Sequence, residues 1–259
     1  MKNFALITGA SKGIGRAIAA ELAKRGCSLL LVSRSKNLLD ELAVKLRKDF
    51  GVEVHTFVSD LSDESAPKRL LEYCTSNNFP INILVNNAGY GLWGKFDELT
   101  MELQLNMLRL NNENLVHITH LFIPLLRKNK PAYILNVSST SAYQAVPTMA
   151  VYAASKIFVL NFSRALRHEL KPDGISVSCL VPGTTSTEFM DRAGQQPLKK
   201  RAEKVAMTPE AVAAAAVKGM FGGKAEIIPG FINWISAKVV PHLPKNLVER
   251  IAVSLYRVK

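Results

Sequence analysis

Cysteine is scarce in this chain. Cys27, Cys74 and Cys179 are the three present, and they stand too far apart to match any metal-ligand spacing. Cys27 and Cys179 sit in apolar, strand-like runs and read as small core residues, which suits a reducing cytoplasm. No run of eighteen apolar residues occurs, so no spanning helix is expected. No charged-then-apolar leader opens the chain, because Met1 runs almost directly into a strand. Internal repeats, low-complexity tracts and linkers are missing too, and residues 1–259 read as a single domain. At this length an α/β fold is often one unit. Acidic residues are few relative to basic ones, and the net charge is +12. Residues 189–259 hold twelve Lys or Arg against five acids, a local excess of +7. Such a surface favours anionic partners, but no nucleic-acid-binding module accompanies it, so no nucleic-acid partner is expected.

What is present is alternation. Apolar runs at 4–8, 28–32, 52–58, 81–85, 132–137, 175–181 and 225–228 read as strands. Amphipathic stretches near 14–25, 36–49, 63–77, 100–128, 152–171 and 208–221 read as helices. The strand runs are continuously apolar, as in strands buried on both faces. Strand–helix alternation then implies a doubly wound, Rossmann-type parallel sheet of about seven strands with helices on both faces. Residues 231–259 differ in character. Phe231, Trp234 and Ile235 mix with spaced cations, and Pro241 and Pro244 divide the segment into two short amphipathic helices. Such a tail could cover a cleft, pack on a second subunit or contact a membrane surface.

The first strand leads into "LITGASKGIGRAIA". Gly9, Gly13 and Gly15 permit a tight turn and close backbone approach, and the helix that follows offers oriented N–H groups to a phosphate. Gly9, Ser11, Lys12, Gly13, Ile14 and Gly15 are therefore expected to hold a dinucleotide. The second strand ends in Ser33 and Arg34, where a carboxylate would select NAD. Arg34 and Lys12 together suit a 2′-phosphate, which predicts NADP(H). Asp60, with the Leu61 backbone beside it, is placed either to meet the adenine or to act as a helix cap in competition with Ser62. Asn86, Asn87, Ala88 and Gly89 form a polar loop at the carboxyl edge of the sheet, where ligands bind in this architecture.

The fifth strand and the helix after it carry "VSSTSAYQAVPTMAVYAASK". Tyr152 and Lys156 lie four residues apart on a helical pattern and share a face. A nearby ammonium favours the phenolate, which makes such a pair a usable acid/base couple near neutral pH. Ser138 and Ser139 alternate in direction, so only one of them should face the cleft.

"TGASKGIG", "NNAG", "NVSS", "YAASK" and "VPG" occur in order and at matching spacings. With these motifs the chain resembles the short-chain dehydrogenase/reductase family over residues 3 to about 230, nearest its 3-oxoacyl reductase and hydroxysteroid dehydrogenase-like branch. The resemblance implies a reductase that transfers hydride from NADPH to a carbonyl. It implies Ser139, thirteen residues before the tyrosine, as the catalytic serine. Tyr152 matches the general acid, and Lys156 matches the residue that binds the nicotinamide ribose and depresses the tyrosine pKa. Among Asn106, Asn111, Asn112 and Asn114 it favours Asn111, holding a water in a proton relay to Lys156. Pro182 and Gly183 match the turn beside the nicotinamide, with Val181 next to it. Thr187 matches the threonine that meets the nicotinamide carboxamide or the cofactor phosphate, and Thr185 is expected to bind the cofactor with it. The substrate would be an apolar ketone or a thioester-linked 3-oxoacyl group, lined by Trp93, Tyr143, Phe189 and Met190. Lys199, Lys200, Arg201 and Lys204 would meet an anionic carrier or lie on a solvated helix. Homodimers or homotetramers through the two long helices are the family's habit. A cofactor-binding regulator or scaffold with the same fold is the alternative reading, and the complete Ser139, Tyr152 and Lys156 set argues against it.

Overall fold

The computed structural model describes residues 3–194 and 206–256. Seven strands form one sheet: β1 (Phe4–Thr8), β2 (Ser28–Ser33), β3 (Val54–Val58), β4 (Ile83–Asn86), β5 (Ala132–Val137), β6 (Ile175–Leu180) and β7 (Glu226–Ile227). Their order is β3-β2-β1-β4-β5-β6-β7, and every pairing is parallel. The helices are α1 (Gly13–Lys24), α2 (Lys36–Phe50), α3 (Ala66–Ser76), α4 (Met101–Leu108), α5 (Asn114–Lys128), α6 (Ala150–Leu170), α7 (Phe189–Arg192), α8 (Pro209–Phe221), α9 (Phe231–Val239) and α10 (Lys245–Tyr256).

The continuous apolar runs are explained by two cores, one on each face of the sheet. Ile7, Leu29 and Leu31 face Ile18 and Leu22 of α1, Leu39 and Leu42 of α2, and Val212 and Met220 of α8. Their chain neighbours Leu6 and Leu30 point the other way, toward Leu70 of α3, Phe122 and Leu126 of α5, and Leu166 and Leu170 of α6. Each fully buried Leu, Ile or Phe contributes about 1.5–3 kcal/mol relative to an exposed one, so both parities of the fully buried strands β1 and β2 are mostly apolar, while the edge strand β3 is only partly buried and carries His55 and Thr56. Cys27, Cys74 and Cys179 are free and buried within these layers. Burial pushes the Cys74 and Cys179 thiols up to about 12, so neither ionises near neutral pH.

Four elements differ most from the pattern reading. The third strand begins at Val54 rather than 52, the fourth at Ile83 rather than 81, and the seventh is only Glu226–Ile227. The long helix expected over 100–128 is interrupted: a π-helical turn, Arg109–Glu113, joins α4 to α5. Such a turn inserts one extra residue and shifts the phase of everything after it. The tail breaks at its prolines as expected. Pro241 lies in a single 3₁₀ turn after α9, and Pro244 immediately precedes α10.

Candidate active site

The strand order reverses direction of travel between β1 and β4, and the crevice at their carboxyl ends is where a ligand binds in a doubly wound sheet. Thr8 clasps the two loops that leave there. Its hydroxyl donates to the Val85 carbonyl at 3.2 Å and accepts the N–H groups of Asn87 and Ala88, each at 3.0 Å. The Asn87 amide donates to the carbonyls of Thr8 (2.9 Å) and Gly9 (3.1 Å). Gly9 has φ +65°, and a Cβ there would stand 2.9 Å from the Ala88 Cα. A Cβ on Gly15 would fall on the Asn87 amide and the Gly9 carbonyl oxygen. A Gly15→Ala substitution is therefore expected to force α1 off the loop. It should destabilise the fold by about 1–3 kcal/mol and weaken dinucleotide binding, read by thermal melting and cofactor titration.

The crevice is a cleft of about 570 Å³. Ser11, Lys12, Gly13 and Ile14 line one end of it, and Gly9 lies at the base. The first turn of α1 contains no acid, and its Lys12 cap position supplies no side-chain hydrogen bond, so the orphan N–H groups of that turn suit an anion. Ser33, Arg34, Asp60 and Leu61 form the adjoining wall. Arg34 pairs with Asp60 at 3.4 Å, with both side chains about half exposed. Asp60 also accepts the Ser62 N–H at 2.9 Å and the Ser62 hydroxyl at 2.7 Å. Partial burial pushes the Asp60 carboxyl up, but these two bonds and the Arg34 guanidinium outweigh it and hold the group below its ordinary range. Asp60 is not a helix cap, because α3 begins at Ala66 with Ser65 before it; it braces its own loop and lines the cleft. Lys12 reaches across the cleft mouth to an ion pair with Glu188.

Ala88, Gly89, Ser139, Tyr152, Lys156, Pro182, Gly183 and Thr185 line the same cleft, and so does Thr187, whose side chain stands against Gly13 of the glycine turn. Ser138 and Ser139 divide as strand alternation requires. The Ser138 hydroxyl is buried and donates to the Lys156 carbonyl at 2.6 Å, tying the end of β5 to α6. The Ser139 oxygen accepts the Ser141 N–H at 3.2 Å, which leaves its own proton to be given to a bound oxygen. Lys156 is 5% exposed. Its ammonium donates to the Val137 carbonyl at 3.1 Å and stands 5.7 Å from the Tyr152 ring centroid. Burial lowers Lys156 to about 8, so it is still mostly charged at neutral pH. The Tyr152 ring is buried and packs against Phe189 at 5.6 Å.

Two expected site residues do not line the cleft. Gly15 lies beneath it as a packing glycine. Asn111 is buried behind Tyr90, its side-chain oxygen accepting the Tyr90 N–H at 3.1 Å. Its amide donates to the Tyr90 carbonyl at 3.0 Å and the Ser155 hydroxyl at 3.1 Å. The other asparagines of that helix are equally committed. Asn106 accepts the Tyr90 hydroxyl, Asn112 donates to the Ser155 carbonyl, and Asn114 donates to the carbonyls of Leu61 and Asp63. The π-helical turn lets one helix brace three separate walls of the cleft.

Two of the four residues expected as substrate lining face the cleft and two do not. Phe189 and Met190 line the cleft, joined by Tyr90, Gln144, Val146 and Met149. Trp93 packs behind them, with Met107 and Met149. Tyr143 turns away into a cluster with Leu160, Cys179 and Val181, and its hydroxyl donates to Glu226 at 2.8 Å. Burial and then the Glu226 carboxylate hold Tyr143 well above the ordinary phenol range. Val181 is likewise wholly buried in that cluster, away from the cleft. These side chains sit where the loop 140–149 folds back on β6, which periodicity does not encode. Thr8 was missed; it is a polar residue closing an apolar run, and that mismatch was the available signal. Asn114 was among the four asparagines weighed, and its polar surroundings gave no reason to single it out. The basic cluster Lys199, Lys200, Arg201 and Lys204 lies outside the described residues.

A glycine turn opening a helix beside a Ser, Tyr and Lys set in one cleft defines a dinucleotide-dependent oxidoreductase fold. The comparisons agree. A family model for short chain dehydrogenases matches residues 3–198. The very-long-chain 3-oxoacyl-CoA reductase of Anas platyrhynchos is 33% identical over 254 residues, which cover 95% of this chain and 78% of that one. Among solved structures, a short-chain dehydrogenase from Sphingobium yanoikuyae in complex with NADPH superposes with a TM-score of 0.83 at 31% identity, covering 95% and 94% of the two chains. A Burkholderia phymatum short-chain dehydrogenase/reductase in complex with NAD shares the fold at a TM-score of 0.84 and 23% identity, over 92% of each chain. The chain belongs to the short-chain dehydrogenase family, in its 3-oxoacyl reductase and hydroxysteroid dehydrogenase-like branch. It is an oxidoreductase acting on CH–OH or C=O groups with a nicotinamide dinucleotide.

Proposed function

We propose that the protein is an NADPH-dependent ketoreductase that converts an apolar ketone or a 3-oxoacyl thioester to the alcohol, with Tyr152 as general acid. The observation that carries this reading is the meeting of Ser139, Tyr152 and Lys156 in one cleft with the glycine turn. Gly9, Ser11, Lys12, Gly13 and Ile14 would hold the dinucleotide phosphates, with Arg34 at the 2′-phosphate and Lys156 at the nicotinamide ribose. The bound cofactor supplies the hydride. Ser139 and Tyr152 hold the carbonyl oxygen with two donors aimed where negative charge develops. Tyr152 then gives its proton to that oxygen, and the Lys156 ammonium stabilises the phenolate left behind. Asn111 keeps Tyr90 and Ser155 in place around this centre and is a positioning residue. The mostly apolar wall of Tyr90, Val146, Met149, Phe189 and Met190 favours a hydrophobic substituent on the carbonyl, and the 3-oxoacyl-CoA reductases among the relatives support a thioester. Met101, Leu103 and Leu105 of α4, with Ile157 and Phe158 of α6, are exposed apolar residues, which supports assembly through the two long helices.

The test is oxidation of NADPH and NADH over a panel of apolar ketones and 3-oxoacyl thioesters. Turnover should appear with NADPH and favour the longer apolar substrates; no oxidation anywhere on the panel would overturn the reading. Arg34→Asp removes the guanidinium and adds a charge beside Asp60. Charge-assisted bonds of this kind contribute about 1.5–3 kcal/mol. NADPH affinity should therefore fall by roughly tenfold to a hundredfold, with NADH affinity little changed. An unaltered preference would sink the assignment of Arg34.

A further inference from the structure

We propose that the C-terminal helices α9 and α10 dock the enzyme on an anionic lipid surface. Both helices are buried on one side and present exposed apolar residues on the other, on α10 together with cations. On α9, Asn233 and Ala237, four residues apart, face the protein. Ala237 is buried, and Asn233 occupies the space a side chain on Gly183 would take while its amide donates to the Pro229 carbonyl at 2.8 Å. On α10, Val248 and Ala252 are the buried pair at the same spacing. The outward face of α9 is mostly hydrophobic, and that of α10 sets Leu247, Ile251 and Val253 among Lys245, Asn246, Glu249, Arg250 and Ser254. Phe231 is 75% exposed and Ile232 72%, and Trp234, Ile235, Leu247 and Ile251 are exposed beside them. Phe231 and Trp234 stack on each other with centroids 6.4 Å apart. Single exposed apolar residues need no explanation, whereas six on two consecutive helices mark an interaction site.

Charge identifies the occupant. Residues 231–259 contain Lys238, Lys245, Arg250, Arg257 and Lys259 against the single acid Glu249, an excess of +4. A second copy would set this excess against its own equal on a chain whose net charge is already +12. An anionic lipid surface satisfies both features at once: headgroups take the cations, and the acyl boundary takes Phe231, Ile232 and Trp234. Among the described residues no helix is long and apolar enough to cross a membrane, so the helices lie on the surface and do not span it. Because Asn233 packs on Gly183, which lines the cleft, the docked segment is built onto the wall of the active site.

The experiment is flotation of the full-length, NADPH-loaded protein with vesicles of phosphatidylcholine alone and of phosphatidylcholine with phosphatidylserine. Two variants are run beside it: Phe231→Ser with Ile232→Ser, and Lys238→Glu with Lys245→Glu. NADPH titration of each variant establishes that the fold is intact. The wild type should float with the serine-containing vesicles, less at high salt, and each double variant should lower the bound fraction roughly tenfold. Failure to float, or flotation that neither pair alters, would overturn the proposal. So would sedimentation showing a lipid-free dimer that Phe231→Ser with Ile232→Ser dissociates, because the apolar faces would then belong to a second copy.

Discussion

Tyr152→Phe should bind NADPH as the parent does and turn over ketone substrate about 10²–10⁴ times more slowly, the usual contribution of a positioned general acid. The substitution removes one hydroxyl and leaves the ring. That ring is buried against Phe189, 5.6 Å away, in a cluster with Met107, Val146 and Met149, so the packing that holds α6 to the cleft is retained. Lys156 keeps its bond to the Val137 carbonyl, and cofactor contacts at that end of the cleft survive. The loss should fall on kcat, because the hydroxyl's proton is needed at the developing alkoxide. Steady-state kinetics with a fluorescence titration of NADPH separates the two quantities. Near-parental kcat would reject Tyr152 as the acid, and a matching loss of NADPH affinity would show that the variant had disturbed the cleft.

Lys156→Met should make the cofactor-free protein more stable at pH 7 while lowering turnover at least about a hundredfold. Lys156 is almost completely buried, and burial lowers its pKa from 10.5 to about 8. A depression of that size corresponds to a cost of about 3 kcal/mol for holding the charge. Below pH 8 the lysine is protonated in both the folded and the unfolded chain, so the whole cost is present. Between pH 8 and 10.5 the folded chain gives up the proton while the unfolded chain keeps it. The unfolded state then binds more protons, and stability from this group rises with pH. Methionine fills similar volume without charge, so its advantage should be greatest at pH 7, about 1–3 kcal/mol, and should shrink toward pH 10. Thermal melts of both proteins at the two pH values read the difference. Equal or lower stability of the variant at pH 7 would show that the ammonium is compensated by more than the Val137 carbonyl. A gain in stability with a loss of turnover would mark a charge kept for function at the expense of the fold.

The asparagines of the long helix show where reading the chain by itself reaches its limit. Four of them, Asn106, Asn111, Asn112 and Asn114, stand within nine residues, and nothing local distinguishes them. The π-helical turn at Arg109–Glu113 does. It shifts the helical phase so that Asn111 meets Tyr90 and Asn114 meets the Leu61 loop. Tyr143 makes the same point. It is expected as apolar pocket lining, but the chain folds back on β6 and hands its hydroxyl to Glu226, 83 residues away.

The seven-stranded parallel sheet, the glycine turn and the pairing of Tyr152 with Lys156 were legible in the sequence alone, because each rests on local physics. Apolar runs of both parities demand burial on both faces, glycines mark backbone that side chains would obstruct, and residues four apart share a helical face. Only the tertiary structure decided the rest. It tied the Ser138 hydroxyl to α6, paired Arg34 with Asp60, and left Asn111 and Gly15 outside the cleft lining. It also left the outer faces of α9 and α10 uncovered. Each of these outcomes depends on where two distant elements come to lie against one another, and a pattern within either element does not contain that information.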